Sequence, residues 1–257
     1  MLLNDSIYRL PMPVHPSSCA VDITALQSIC SKCSLRELCL PAGLDSRELD
    51  RVEHLVNRRR PIKRDDYLYR SGGKFQSLYA LRTGSIKSCV LHEDGREQIA
   101  GFHMAGELLG LDAISSSRHT CDAIALEDSV VCEIPFARLE QVSREIPSLQ
   151  QHFHRIMSRE IVRDYGVMLL LGTMRAEERL AAFLLNLSQR FSARGYSSTE
   201  FVLRMTREEI GSYLGLKLET VSRVFSRLHE EGVVEVRNRH IKLNDLERLR
   251  ALVGQQR

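Results

Sequence analysis

Cys30, Cys33 and Cys39 place three thiols within ten residues near the start of the chain. The two residues between the first pair let both sulfurs face the same way around a turn, and the next five bring Cys39 back toward them. Thiolates crowded in this way suit a zinc ion or an iron–sulfur centre, and a closed site of either kind usually takes four ligands. Four further cysteines stand at 19, 89, 121 and 132. The spacing of the three leaves the fourth ligand open.

A second constellation lies in the C-terminal third. Thr206-Arg207-Glu208-Glu209 is a capping box that opens a helix over 207–213. Leu214-Gly215-Leu216 turns the chain, and a second helix spans 217–230 with Leu218, Val221, Val224, Phe225 and Leu228 on its apolar face. Helix, glycine-containing turn, helix is the arrangement that sets a second helix into the major groove of DNA. Opposite the apolar face stand Glu219, Thr220, Ser222, Arg223 and Arg227, types that read base edges: Arg at guanine O6 and N7, Glu at cytosine N4. Residues 233–243 alternate about an Arg237-Asn238-Arg239-His240 tip, which reads as a two-stranded wing able to touch phosphate. A solvated helical hairpin has the same periodicity, so the reading rests on the chemistry of the polar face.

The elements that must position these groups follow from pattern. Residues 1–18 are proline-rich and aperiodic, a mobile arm, and 19–40 carry the thiols. From Leu44 an amphipathic helix with Leu49, Val52, Leu55 and Val56 on one side starts at the cap candidates Asp45 and Ser46 and is expected to stop at Pro61. Between 62 and 135 short apolar runs alternate with turns, Asp94-Gly95 being the best hairpin signal, which suggests an antiparallel barrel or jelly roll. The expected units are thus a β-roll over 41–147, a long helix over 148–173 and a DNA-binding unit over 174–257. On the long helix Met157, Ile161, Asp164, Met168 and Leu171 step by 4, 3, 4 and 3, a heptad seam facing another helix. Asp164 interrupts it. Either the carboxylate weakens a parallel pair of helices by repulsion, or it sits at the seam's edge in water.

Composition agrees with a two-domain globular chain: 257 residues, 43% hydrophobic, net charge +3. From Met174 onward 15 Lys and Arg face 11 Asp and Glu, a net of +4, against −1 for the remainder. That asymmetry suits a nucleic-acid-binding tail on a neutral body. No apolar run is long enough for a bilayer span, and Asp5, Pro11, Pro13 and Pro16 interrupt the place of a leader, so a cytoplasmic location is expected. In that compartment seven cysteines argue for metal or redox chemistry over disulfides. A redox enzyme would need a substrate pocket, and the sequence has no dinucleotide or P-loop fingerprint and no nucleophile elbow.

Thiols, β-roll, seam helix and winged helix-turn-helix, in that order, resemble the CRP/FNR superfamily of bacterial transcription regulators. The wording is most similar to its oxygen-sensing branch: Cys30-x2-Cys33-x5-Cys39-Leu-Pro, Ser77-Leu-Tyr-Ala, Glu97-Gln-Ile-Ala-Gly-Phe-His103, Val131-Cys-Glu-Ile-Pro135, Ala176-Glu-Glu-Arg-Leu-Ala-Ala-Phe183, and Ile210-Gly-Ser-Tyr-Leu-Gly-Leu-Lys-Leu-Glu-Thr-Val-Ser-Arg223. The resemblance implies an α+β fold and a homodimeric, non-enzymatic regulator that works with RNA polymerase and no membrane. It implies that Cys132 completes a 4Fe–4S site with Cys30, Cys33 and Cys39, that oxygen converts this cluster to a 2Fe–2S form, and that the dimer then weakens and releases DNA. Asp164 matches the seam carboxylate that keeps cluster-free protein monomeric. Glu219, Ser222 and Arg223 match the residues that read each half of a palindrome resembling TTGAT-N4-ATCAA. Cys121 is the competitor to Cys132; Cys19 and Cys89 have no counterpart as ligands, and Leu38 beside Cys39 is expected to shield the cluster. The main alternative keeps the fold and makes the ligand a cyclic nucleotide, which such domains hold near Gly106-Glu107-Leu108 with an Arg-Ser/Thr-Ala trio. Here the corresponding text is Arg118-His119-Thr120-Cys121.

Overall fold

The computed structural model describes residues 30, 33–40, 42–56, 58–91, 95 and 97–254; Cys19, Asp94 and the expected arm lie outside them. Helix α1 (Ser46–Glu53) starts at Asp45, whose side chain accepts from Arg47 and Glu48 N–H while Glu48 reaches back, a full capping box. It ends at Glu53, earlier than expected, and Pro61 lies instead inside β1 (Arg58–Ile62). The edge position of β1 explains the tolerance, because a proline there costs no ladder bond on the open side.

Two four-stranded antiparallel sheets form the β-roll. One has the order β1-β8-β3-β6, adding β3 (Ser77–Thr83), β6 (Leu108–Leu109) and β8 (Ser129–Pro135). The other has the order β2-β7-β4-β5, with β2 (Tyr67–Tyr69), β4 (Ser85–Leu91), β5 (Glu97–Met104) and β7 (Asp122–Ala125). Leu68, Ile86, Ala123 and Ala125 from one sheet and Leu81, Leu109 and Val131 from the other share one buried core. The opposite face of the first sheet, with Leu78, Ala80 and Ile134, is covered by the N-terminal segment, α1, α2 (Phe136–Glu145) and the start of α3 (Pro147–Thr173). Among the described residues no helix is long and apolar enough to cross a membrane.

After an extended residue at Met174, α4 (Ala176–Ser192) leads through β9 (Glu200–Val202) to α5 (Arg207–Leu214) and α6 (Leu218–Glu230). The capping box of Thr206 and Glu209 is present as read, and Gly215 closes α5 in the left-handed region that favours glycine. The wing is three-stranded, not two-stranded: β10 (Val234–Arg237) and β11 (His240–Leu243) are joined by β9, and α7 (Leu246–Gly254) follows.

The C-terminal unit is packed firmly on the β-roll. Phe102 of β5 meets the rings of Phe183 and Tyr213 at 6.1 and 5.3 Å. Glu107, half-buried beside β6, accepts from Arg190 of α4 at 2.8 Å and from Arg194, in the turn just after that helix, at 2.6 Å, with Arg163 of α3 at 3.8 Å. Burial alone would raise the Glu107 carboxyl, but Arg190 and Arg194 outweigh it and hold the group below its ordinary range. Its stabilising contribution is therefore in place above the ordinary carboxylate pKa and is lost as pH falls through the depressed value. Glu107→Gln strands two cations, and we expect a loss of about 3 kcal/mol in denaturant unfolding at neutral pH. The gap from the native chain should narrow as pH falls below about 4; a pH-independent gap would contradict this.

Candidate functional site

The thiol segment folds by successive three-residue turns. Cys33 N–H donates to the Cys30 carbonyl, Arg36 N–H to that of Cys33, and Cys39 N–H to those of Leu35 and Arg36. Arg36–Leu38 closes into a 3-10 turn and Cys39 is extended after it, yet Cys30, Cys33, Arg36 and Cys39 all face the same hollow. Strand alternation brings the fourth thiol from far along the chain. Val131 enters the sandwich core, so Cys132 and Ile134 face the other way, and Cys132 stands opposite Ala80 of β3 in register.

Cys30, Cys33, Cys39 and Cys132 line one recess with Leu35, Arg36 and Arg82 and aliphatic groups of α1 and β3. Its cavity volume is ≈ 40 Å³, the remainder of the hollow being open to solvent. Burial pushes the Cys39 thiol up to about 12, and the neighbouring Cys132, Cys30 and Cys33 add to the rise. Burial also raises Cys132, against the pull of Arg82 and Arg59. A metal centre bound here as thiolates must expel those protons. Among the described residues no group of three or more His, Cys, Asp or Glu side chains is placed to hold a metal ion; the four cysteines share the lining of one recess. As a donor set, four thiols in an apolar enclosure fit an iron–sulfur cluster.

Cys121 does not line this recess. It is buried against Tyr69 and Asp112 at a separate cavity, and burial pushes its thiol up to about 12, as it does that of Cys89 in β4. Buried, protonated thiols of this kind are poorly reactive. Leu38 is not in the recess lining either; it presses on Gly106, where an added Cβ would meet the Leu38 Cβ at 2.9 Å, and Leu35 takes the lining place. Sequence reasoning passed over Arg36 and Arg82, whose i+3 spacing from Cys33 and place on β3 were the available signals.

The recess is tied to α3. His152, in the second turn of that helix, donates through Nε2 to the Cys39 carbonyl at 3.1 Å, and Leu149 and Phe153 share a core with Leu40 and Leu44. Further along, α3 turns an apolar stripe outward: Ile161 is 52% exposed and Met168 65%, with Tyr165 and Leu169 beside them. Asp164 is exposed in the middle of that stripe, whereas Met157 and Leu171 at its two ends are half-buried against their own chain.

On α6, Val221, Phe225 and Leu228 are buried, while Glu219, Ser222 and Arg223 are exposed and Thr220 is half-buried. Arg223 Nη2 donates to Thr220 Oγ1 at 3.5 Å. Leu218, expected on the apolar face, is 44% exposed at the helix start. Arg227 is engaged with Glu177 at 3.0 Å and Glu231 at 2.9 Å.

Residues 59–145 match the cyclic nucleotide-binding domain, and residues 178–252 the Crp-like helix-turn-helix domain. The chain is 49% identical to the transcriptional regulatory protein btr of Bordetella pertussis, over 88% of this chain and 94% of the relative. It is 47% identical to the fumarate and nitrate reduction regulatory protein of Salmonella typhimurium, with 97% of each chain covered. Among solved structures, FixK2 from Bradyrhizobium japonicum superposes with a TM-score of 0.72 at 32% identity, covering 77% of this chain and 98% of that one. The chain belongs to the CRP/FNR family, in the branch of the fumarate and nitrate reduction regulatory proteins, and is an anaerobic DNA-binding transcription regulator.

Proposed function

We propose that Cys30, Cys33, Cys39 and Cys132 hold a 4Fe–4S cluster that makes dimerisation, and through it DNA binding, depend on the absence of oxygen. The observation that carries this is the shared recess: three thiols on a short, turn-rich segment face one on a rigid strand. A cluster held there would supply an oxygen-labile centre, of the 4Fe–4S form without oxygen and the 2Fe–2S form after exposure to it. The protein's part is mechanical. Four thiolates pin the N-terminal segment to β8, and the contact of Cys39 with His152 carries that restraint to α3. The exposed stripe about Ile161, Asp164 and Met168 is then the surface on which two copies pair, Met157 and Leu171 bounding it. The regulator acts in the cytoplasm with RNA polymerase.

For DNA, Glu219, Ser222 and Arg223 read each half of a palindrome resembling TTGAT-N4-ATCAA. Thr220 steadies Arg223, and Arg227 stands on the same face. Arg223→Ala should cost roughly 1 to 3 kcal/mol per half-site on the palindrome and much less on random DNA. Equal losses on both sequences would reduce Arg223 to a phosphate contact.

The cyclic-nucleotide reading draws on the domain match at residues 59–145 and on a cavity of ≈ 470 Å³ between the β-roll and α3. Its charged lining is Asp112, Glu160, Asp164 and Arg163, the last already paired with Glu160, while Arg118 is turned away, donating to the Gly72 carbonyl at 2.7 Å. Three carboxylates disfavour a cyclic phosphate there. Analysis of protein purified without oxygen tests the main reading: about four irons with matching sulfide per chain is expected. Zinc, or no metal with undiminished DNA binding, would overturn it.

A further inference from the structure

The dimerising helix α3 is joined to α4, on which the recognition helix packs, only by the extended Met174 and Arg175. Leu170 and Leu171 pack into the core of the C-terminal unit, and one side chain hydrogen-bonds across the joint. Arg179 on α4 donates through Nη2 to the Leu171 carbonyl in the last turn of α3 at 2.9 Å, through Nε to the Met174 carbonyl at 2.8 Å, and through Nη1 to the Leu214 carbonyl at the end of α5 at 2.9 Å. Leu171 and Leu214 lie where helices end and carbonyls lack helical partners. A planar guanidinium suits the task because its donors diverge in fixed directions, which a lysine ammonium cannot reproduce. The fit is close on the far side as well: a Cβ added at Gly215 would stand 3.3 Å from both Arg179 Nη1 and Leu171 Cδ2.

We infer that Arg179 is a positioning residue that fixes the recognition helix relative to the dimerising helix and thereby sets the spacing of half-sites the dimer accepts. Two recognition helices must enter the groove about one helical turn apart, and inserting one base pair between half-sites rotates one against the other by about 35°. A dimer discriminates against such a change only if each DNA-binding unit is held stiffly on its seam helix. The Phe102 and Glu107 contacts, together with Ser212 of α5, which donates to the Glu97 carbonyl at 3.0 Å and accepts from Ile99 N–H at 2.9 Å, hold that unit to the β-roll; Arg179 alone among the described side chains bonds the end of α3, the extended residue after it and the helix-turn-helix turn together. The inference rests on the reading of α3 as the pairing surface.

Full-length Arg179→Lys and Arg179→Met, prepared without oxygen, are compared with the native chain on three DNAs: the palindrome, the same site with one base pair added to its spacer, and an isolated half-site. The native chain should prefer the palindrome over the lengthened site by about tenfold or more. In both variants that ratio should fall toward unity, with half-site affinity and dimer fraction unchanged. An unaltered ratio, or half-site and palindrome affinities falling together, would overturn the inference and leave Arg179 a residue that only stabilises the fold. A native chain that fails to prefer the palindrome over an isolated half-site would instead refute paired recognition itself.

Discussion

Cys132→Ser protein purified without oxygen is expected to be colourless, to carry background iron and to lose binding to the palindrome. A serine hydroxyl does not replace a thiolate as a soft ligand for iron, and three cysteines on a short turn-rich segment leave the recess open on its β8 side. The fold should survive. Cys132 is only half-buried and sits on a strand paired on both sides, so the exchange should cost about 1 kcal/mol of stability. Cys121→Ser is the matched control, because that thiol lies at another cavity; it should load iron normally. Full iron loading by Cys132→Ser, or loss of loading in Cys121→Ser, would show the ligand set to be wrong.

Asp164→Ala is expected to be substantially dimeric in air and to bind the palindrome without its cluster. When two seam helices pair, two Asp164 carboxylates are brought near one another among Ile161 and Met168. At about 6 Å and an effective dielectric near 20 their repulsion amounts to about 3 kcal/mol. Since Asp164 is solvent-exposed, screening leaves about 1 to 2 kcal/mol, roughly five- to thirtyfold in the dimer dissociation constant. Sedimentation of air-exposed protein over a concentration series measures this shift. A monomer fraction equal to that of the native chain would place Asp164 at the edge of the seam and remove it from the switch.

What was legible in the sequence was local. The Thr206–Glu209 box, the Gly215 turn and the period of α3 depend on neighbours within one or two turns, and each occupies its expected place. β6 and β7 carry no sequence signal of their own, because runs of two and four residues show no alternation; they exist through pairing with β3, β2 and β4. Pro61 misled for a related reason, since only the sheet order shows that its strand is an edge. The thiol motif was readable from spacing, but its joining to Cys132 follows from the register of β8 on β3, a contact between distant segments. Glu107 and Arg179 were invisible as a buried ion cluster and a carbonyl clamp because their partners lie in other elements.

The central claim is that the thiol recess governs pairing of α3. The most direct test follows visible absorption, dimer fraction and palindrome binding on one anaerobic sample while air is admitted. The three should fall together, with Asp164→Ala protein losing only the colour. A native dimer that keeps its size and its DNA after the colour has gone would contradict the account.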